Sequence, residues 1–209
     1  MRWEHLFADL EARFDELDDA AAAAETADRE RVAMGAVLAQ QRFVGSIGGQ
    51  IRVRLAGGAT LGGVLRTVGP DFLLLTEAQT RDCLVPLGAV TAVEGLTSVT
   101  GAALTGLAVR LDLRRALRGL ARDRSPVSLA LTGWTGAAAT AGQGAGSVAA
   151  GSGEITGTID RVGADFIEIA VHAAWEPRRA GAVRSVALVP MQALVLVRAI
   201  PLGLSLIHI

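Results

Sequence analysis

LGGVLRTVGPDF at residues 61–72 returns as ITGTIDRVGADF at residues 155–166, with five of the twelve positions identical and several others exchanged between apolar residues. Downstream of each copy a second match follows in the same order: LVPLGAVTAV at 84–93 and LVPMQALVLV at 188–197, with the proline and the apolar positions in register. Two separated matches in one order mark an internal duplication, and the repeat therefore sets the architecture before any single element is assigned. The copies differ where surface loops are expected. A small-residue run, GAAATAGQGAGSVAAGSG, interrupts the second copy after the strand SLALTGW, and HAAWEPRRAGAVR stands where the first copy has the short TEAQTRD. Insertions at hairpin ends leave a β-core intact.

Outward from the repeat, the hydrophobic period is two. Ile51, Val53 and Leu55 alternate with Arg52 and Arg54 before the turn residues Gly57 and Gly58, which reads as a half-buried strand. Residues 61–75 read as a bent strand pair and 83–93 as a further strand, turn and strand. Ahead of them the period changes to that of a helix. Trp3, Leu6, Phe7, Leu10, Phe14 and Leu17 recur every three or four residues among charges, and no Gly or Pro occurs before Gly35. Helix is predicted to run to about Phe43, either straight or folded back near Asp18–Asp28. Between the copies, Val109, Leu113, Leu117 and Leu120 form an apolar stripe that ends before Pro126, predicting a second helix over about 107–124.

The spacing apolar-x-Gly-x-apolar-x-x-apolar-x-x-Asp, followed by an apolar strand, resembles the first motif of the Sm-like superfamily. Leu61, Gly63, Leu65, Val68, Asp71 and Phe72 fit it, as do Ile155, Gly157, Ile159, Val162, Asp165 and Phe166. Val85–Val93 and Val189–Val197 resemble the second motif. The resemblance implies a helix followed by five strongly bent antiparallel strands in each copy. The expectation is a mainly β chain with helices, of α+β class, in five parts. A helical segment occupies 1–47, a first small five-stranded Sm-like (SH3-like) barrel 48–97, and a linker with a basic helix 98–125. A second barrel, carrying the Gly/Ala-rich insertion, occupies 126–200, and a tail follows at 201–209. In a tandem chain the strand edges of the two copies either satisfy one another or are left to other molecules.

Composition excludes several classes. Hydrophobic residues make up 51% of the 209 and charged residues 20%, enough for a packed core and too little net charge for a disordered polymer. All twenty basic residues are arginine, in keeping with a GC-rich coding sequence rather than selected guanidinium chemistry. The formal charge of −1 is unevenly spread: residues 1–33 hold ten acids against four arginines, and the remainder sixteen arginines against eleven acids. The acidic start lacks the basic and apolar regions of a secretory signal, and the uncharged stretch at 125–153 is too poor in Leu, Ile and Phe to span a membrane. A single cysteine, Cys83, suits a reducing cytoplasm. The closing LSLIHI reads as vector or adapter read-through, with a terminal edge strand as the alternative.

No catalytic constellation is expected. His5, His172 and His208 share no metal-ligand spacing, and GxSxG, GxxxxGK[ST] and HExxH strings are absent, so neither metal nor cofactor nor small-molecule substrate is predicted. The strongest electrostatic feature is the linker helix, where Arg110, Arg114, Arg115, Arg118, Arg122 and Arg124 face only Asp112 and Asp123. Such a row can neutralise phosphates, or it can be a solvated face or a partner for the acidic helix. Arg178, Arg179 and Arg184 could extend it. Trp175 either stacks on a base or packs its loop. By the resemblance, Phe72 and Phe166 fall where Sm-like RNA chaperones place an aromatic against RNA bases; the alternative is a core role. In place of the family's basic second-motif turn stand Pro86-Leu87-Gly88 and Pro190-Met191-Gln192, which offer no charge to phosphate. The expected function is a non-enzymatic cytoplasmic binding protein with RNA as first ligand. Its rival is an assembly or scaffold module whose acidic helix binds another protein, a second copy, or its own arginine helix.

Overall fold

The computed structural model describes residues 2–78, 80–133, 154–173 and 183–200. Backbone contacts divide the chain between Ala39 and Gln40 into two units. The first is a single helix, α1 (Arg2–Gly35), of 34 residues. It does not fold back near Asp18–Asp28: the alanine run carries it through, and exposed pairs such as Arg29–Glu25 at 2.7 Å support it one turn apart. Phe7, Phe14 and Leu17 are exposed along it.

The second unit opens with the short helix α2 (Ala39–Val44), whose Phe43 is buried in its core. Its strands are β1 (Gln50–Leu55), β2 (Thr60–Val68), β3 (Phe72–Glu77), β4 (Arg81–Pro86) and β5 (Val90–Glu94), then β6 (Pro126–Leu131), β7 (Glu154–Val162), β8 (Phe166–Val171), β9 (Ser185–Pro190) and β10 (Leu194–Ala199). Helices α3 (Leu107–Arg110) and α4 (Leu113–Arg122) lie between β5 and β6. The helix predicted over 107–124 is thus broken at Leu111–Asp112, because Asp112 is extended (φ −82°, ψ 166°) and its carboxylate accepts from the Arg115 N–H as the cap of α4. No helix among the described residues is long and apolar enough to cross a membrane.

The expectation of two separate five-stranded barrels is overturned. All ten strands form one open antiparallel sheet in the order β5-β1-β2-β3-β4-β10-β6-β7-β8-β9. A closed first half would need β5 beside β4, but β5 pairs with β1 alone among the described strands. The outer edge of β4 is instead taken by β10, with Val197 opposite Leu84 and Arg198 opposite Cys83. Backbone N–H and C=O groups on a strand edge must be paired or solvated, and here the last strand of the second half satisfies the β4 edge of the first.

The duplication itself is visible in the coordinates. Each half repeats one strand order, β5-β1-β2-β3-β4 and β10-β6-β7-β8-β9. A Cβ on Gly63 would lie 2.8 Å from the Thr76 carbonyl oxygen, and one on Gly157 2.1 Å from that of Ala170, the equivalent residue of the second half. Both glycines let a bent strand cross close over its neighbour's backbone. Register shifts follow at Leu65/Thr67 and at Ile159/Arg161, again equivalent. The turns match atom for atom: Gly69 N–H donates to the Phe72 carbonyl and Gly163 N–H to that of Phe166, both at 2.8 Å. Leu87 and Met191 N–H donate to the Asp71 and Asp165 carbonyls at 2.8 and 2.7 Å.

Burial follows position in the sheet. β1 alternates exposed and buried, as its arginines require, whereas every residue of β6 is buried, because this strand lies deep in the sheet next to β10. Two apolar cores result, and each borrows from the other half. Ile51, Val53, Leu65, Leu73 and Leu75 pack with Ala130, Val195 and Leu196. Leu117, Leu129, Ile159, Ile167 and Ile169 pack with Phe72 and Leu84.

Candidate nucleic-acid interface

Helix α4 is fixed to the sheet before it can present anything. Leu113 and Leu117 are 6% and 0% exposed in the second core, and the helix lies against β7. Burying Leu117 alone contributes roughly 1.5–3 kcal/mol. Two acids hold the amino end: Asp112 caps from within, and Asp71 Oδ1, in the turn before β3, accepts from the Leu113 N–H at 2.7 Å. Both carboxylates sit at the positive end of the helix dipole. Asp71 therefore reaches from its turn across to the linker helix, tying the first half to the second. Past the helix end at Arg122 comes Arg124, whose φ of 52° is left-handed and whose N–H donates to the Ala121 carbonyl at 3.3 Å.

With that apolar face anchored, Arg115, Arg118 and Arg122 are exposed on successive turns, and Arg114 is half-buried. At about 1.5 Å per residue these three guanidinium stems span roughly 10 Å along the axis. Arg110 is exposed on α3. None of these five arginines forms an ion pair within 4.0 Å of an acid among the described residues. Arg124 differs. Its guanidinium is 2.9 Å from Asp160, which removes it from the free row.

Of the aromatics expected at the interface, Phe72 and Phe166 are described. Phe72 is 5% exposed, packs in the second core and lies over Gly69, where a Cβ would meet its ring at 2.3 Å. Its burial fits the core role rather than a stacking platform for bases, because the bent turn folds its ring inward. Phe166 lies over Gly163 in the same way but is half-buried. Trp175, Arg178 and Arg179 lie outside the described residues; Arg184 is described and exposed.

His172 and Cys83 are both buried. His172 is 3% exposed, its Nε2 2.8 Å from Thr158 Oγ1 and its Nδ1 2.9 Å from the Ala173 carbonyl. The carbonyl can only accept, so Nδ1 donates to it, and both ring nitrogens are engaged inside the fold. Among the described residues no group of three or more His, Cys, Asp or Glu could hold a metal. Cys83 is buried, and burial, with Glu77 nearby, pushes its thiol up to about 11.

One polar cluster escaped the sequence. Arg198 on β10, with a side chain 12% exposed, reaches Glu154 on β7 at 2.6 Å and Glu77 on β3 at 3.7 Å. Ser128 on β6 donates to the same Glu154 carboxylate at 2.7 Å. Arg81, 3.7 Å from Glu77, supplies the second positive charge that balances the two carboxylates where the halves meet. Residues 77, 128, 154 and 198 have no motif spacing; the β10–β6 and β6–β7 pairings bring 128, 154 and 198 together, and the β4–β10 junction adds Glu77. No protein-family model matches the chain, and no curated protein is significantly similar to it.

Proposed function

We propose that this chain is a non-enzymatic binding protein that holds a polyanion, single-stranded RNA before others, on the arginine face of α4, in the reducing environment of the cytoplasm. The observation that carries this reading is the exposed Arg115–Arg118–Arg122 row, rigidly backed by Leu117 and free of described acidic partners, with Arg110 and Arg114 beside it. Guanidinium groups held in a fixed row neutralise successive phosphates and release their counterions. The Sm-like motifs of the two halves favour RNA among polyanions. With Phe72 buried, recognition rests on phosphate contacts and is tolerant of sequence.

The test is binding of labelled oligouridine to the full chain at rising salt. Five arginine–phosphate contacts give a slope of log affinity against log salt of about −3.5, at roughly 0.7 per contact on a single strand. Replacing Arg115, Arg118 and Arg122 by Gln is expected to lessen the slope by about 2. Absence of salt-sensitive binding by the unaltered protein near physiological ionic strength eliminates the reading.

A second reading is supported by α1, where Phe7, Phe14 and Leu17 are exposed on an acidic helix. An amphipathic helix of that kind docks into an apolar groove of a basic partner. In that case Phe7→Glu/Phe14→Glu abolishes capture of the partner and leaves the affinity for oligouridine unchanged.

A further inference from the structure

We propose that α1 pairs with α1 of a second copy of this chain as a parallel, in-register, two-stranded coiled coil over residues 3–24. Trp3, Phe7, Leu10, Phe14, Leu17, Ala21 and Ala24 stand at alternating steps of four and three along one unbroken helix. Steps of that kind average 3.5 residues, the period of a coiled-coil seam rather than of a helix laid on a sheet. Phe7, Phe14 and Leu17 are 61%, 65% and 66% exposed, so the described part of that seam is open. A long helix in water draws most of its stability from covering such a stripe. The seam ends where its next two positions become Asp28 and Arg31, which pair with each other along the helix.

The charges flanking the seam select the occupant and its direction. On one side stand Glu4, Glu11, Asp18 and Glu25, and on the other Leu6, Arg13, Ala20 and Ala27. In a parallel pair each position of the second row meets the first-row position five residues further along in the other copy. Arg13 therefore meets the second copy's Asp18, twice by symmetry, and both residues are exposed and available. An antiparallel pair would set the acidic row against itself with no cation between, so the charges select the parallel one. Glu25, at the end of the row, is already neutralised by Arg29 at 2.7 Å. The arginine helix α4 offers charge without an apolar seat, because Leu113 and Leu117 are 6% and 0% exposed in the core. The inference stands apart from polyanion binding by α4, and it gives the face of α1 a second copy as occupant in place of a basic groove.

Light scattering on the purified full chain over a concentration series tests this. Wild type is expected to rise to a plateau at twice the chain mass. Phe14→Asp, at an exposed position, is expected to raise the dissociation constant by about 100-fold or more, with Cys83 still protected from thiol labelling as a check that the sheet is folded. A wild type that stays monomeric throughout its soluble range overturns the proposal, as does a plateau at any other mass or a Phe14→Asp protein that dimerises like wild type. Direction and register are read by charge exchange. Arg13→Glu protein and Asp18→Arg protein each place like charges at both flanking contacts of their own pairs, whereas the mixed pair has two attractive contacts. Mixing them is expected to favour the heterodimer over either homodimer by about tenfold. A statistical mixture of the three dimers refutes the parallel register even where dimers form.

Discussion

Gly157→Ala is the substitution that most directly probes the duplicated bend. Its Cβ would stand 2.1 Å from the Ala170 carbonyl oxygen and 2.9 Å from the carbonyl carbon, both backbone atoms that no side-chain rotation can move. Gly63→Ala meets the equivalent Thr76 oxygen at 2.8 Å, a milder overlap, and at Gly62 nothing lies within 4 Å. Overpacking costs about 1–3 kcal/mol, against roughly 0.5–1 kcal/mol recovered when alanine replaces glycine in a strand. The expected order of stability is Gly62→Ala at or above wild type, then Gly63→Ala lower by about 1 kcal/mol, then Gly157→Ala lower by about 2 kcal/mol or more. For a sheet of this size, each kcal/mol corresponds to a fall of about 2–4 °C in melting temperature. Urea and thermal unfolding followed by circular dichroism measure it. A Gly157→Ala protein as stable as wild type would show that β7 does not cross β8 at the contact described, and the argument from equivalent bends would fail with it.

Two contrasts follow from the same equivalences. Asp71→Ala removes the carboxylate that accepts from the Leu113 N–H and is expected to cost about 1 kcal/mol in urea unfolding, whereas Asp165→Ala, whose side chain is exposed and holds no described helix, is expected to stay within about 0.5 kcal/mol of wild type. Equal effects at the two sites would contradict the helix-capping role of Asp71. Cys83 adds a pH dependence. Its thiol rises from an ordinary 9.0 to about 11 in the fold, so the unfolded chain loses that proton first, and stability is expected to decline as pH climbs from about 9 towards 11. Cys83→Ala should flatten that decline in denaturant titrations at successive pH values. Thiol labelling of the native protein near neutral pH is expected to be negligible until denaturant is added; rapid native labelling would contradict the burial of Cys83.

Much of the local structure was legible in the residues. The alternation of Ile51, Val53 and Leu55 with arginines gave the face of β1 that is buried, and the spacing of Leu113 and Leu117 gave the face of α4 that anchors it. Both follow from periodicity, which reports which side of an element meets the core. The arginine row came with it, since residues off the apolar stripe must face outward. The break falls at Asp112, a capping residue inside an apolar stripe whose spacing continues through it and so conceals the break. Phe72 could not be placed from its type, because a phenylalanine beside a turn serves core and surface alike.

The sequence by itself determined that one β-unit occurs twice, because a glycine where backbones nearly touch and a proline opening a tight turn are demanded locally and recur at matched positions. Only the tertiary structure decided how the two units join. The groups that pair β10 with β4 are backbone N–H and C=O, identical at nearly every residue, so strand composition states that an edge exists and not which strand fills it. The same long-range choice gathered Arg198, Glu77 and Glu154, brought Asp71 to the end of α4, and left the edges of β5 and β9 at the two ends of a single sheet.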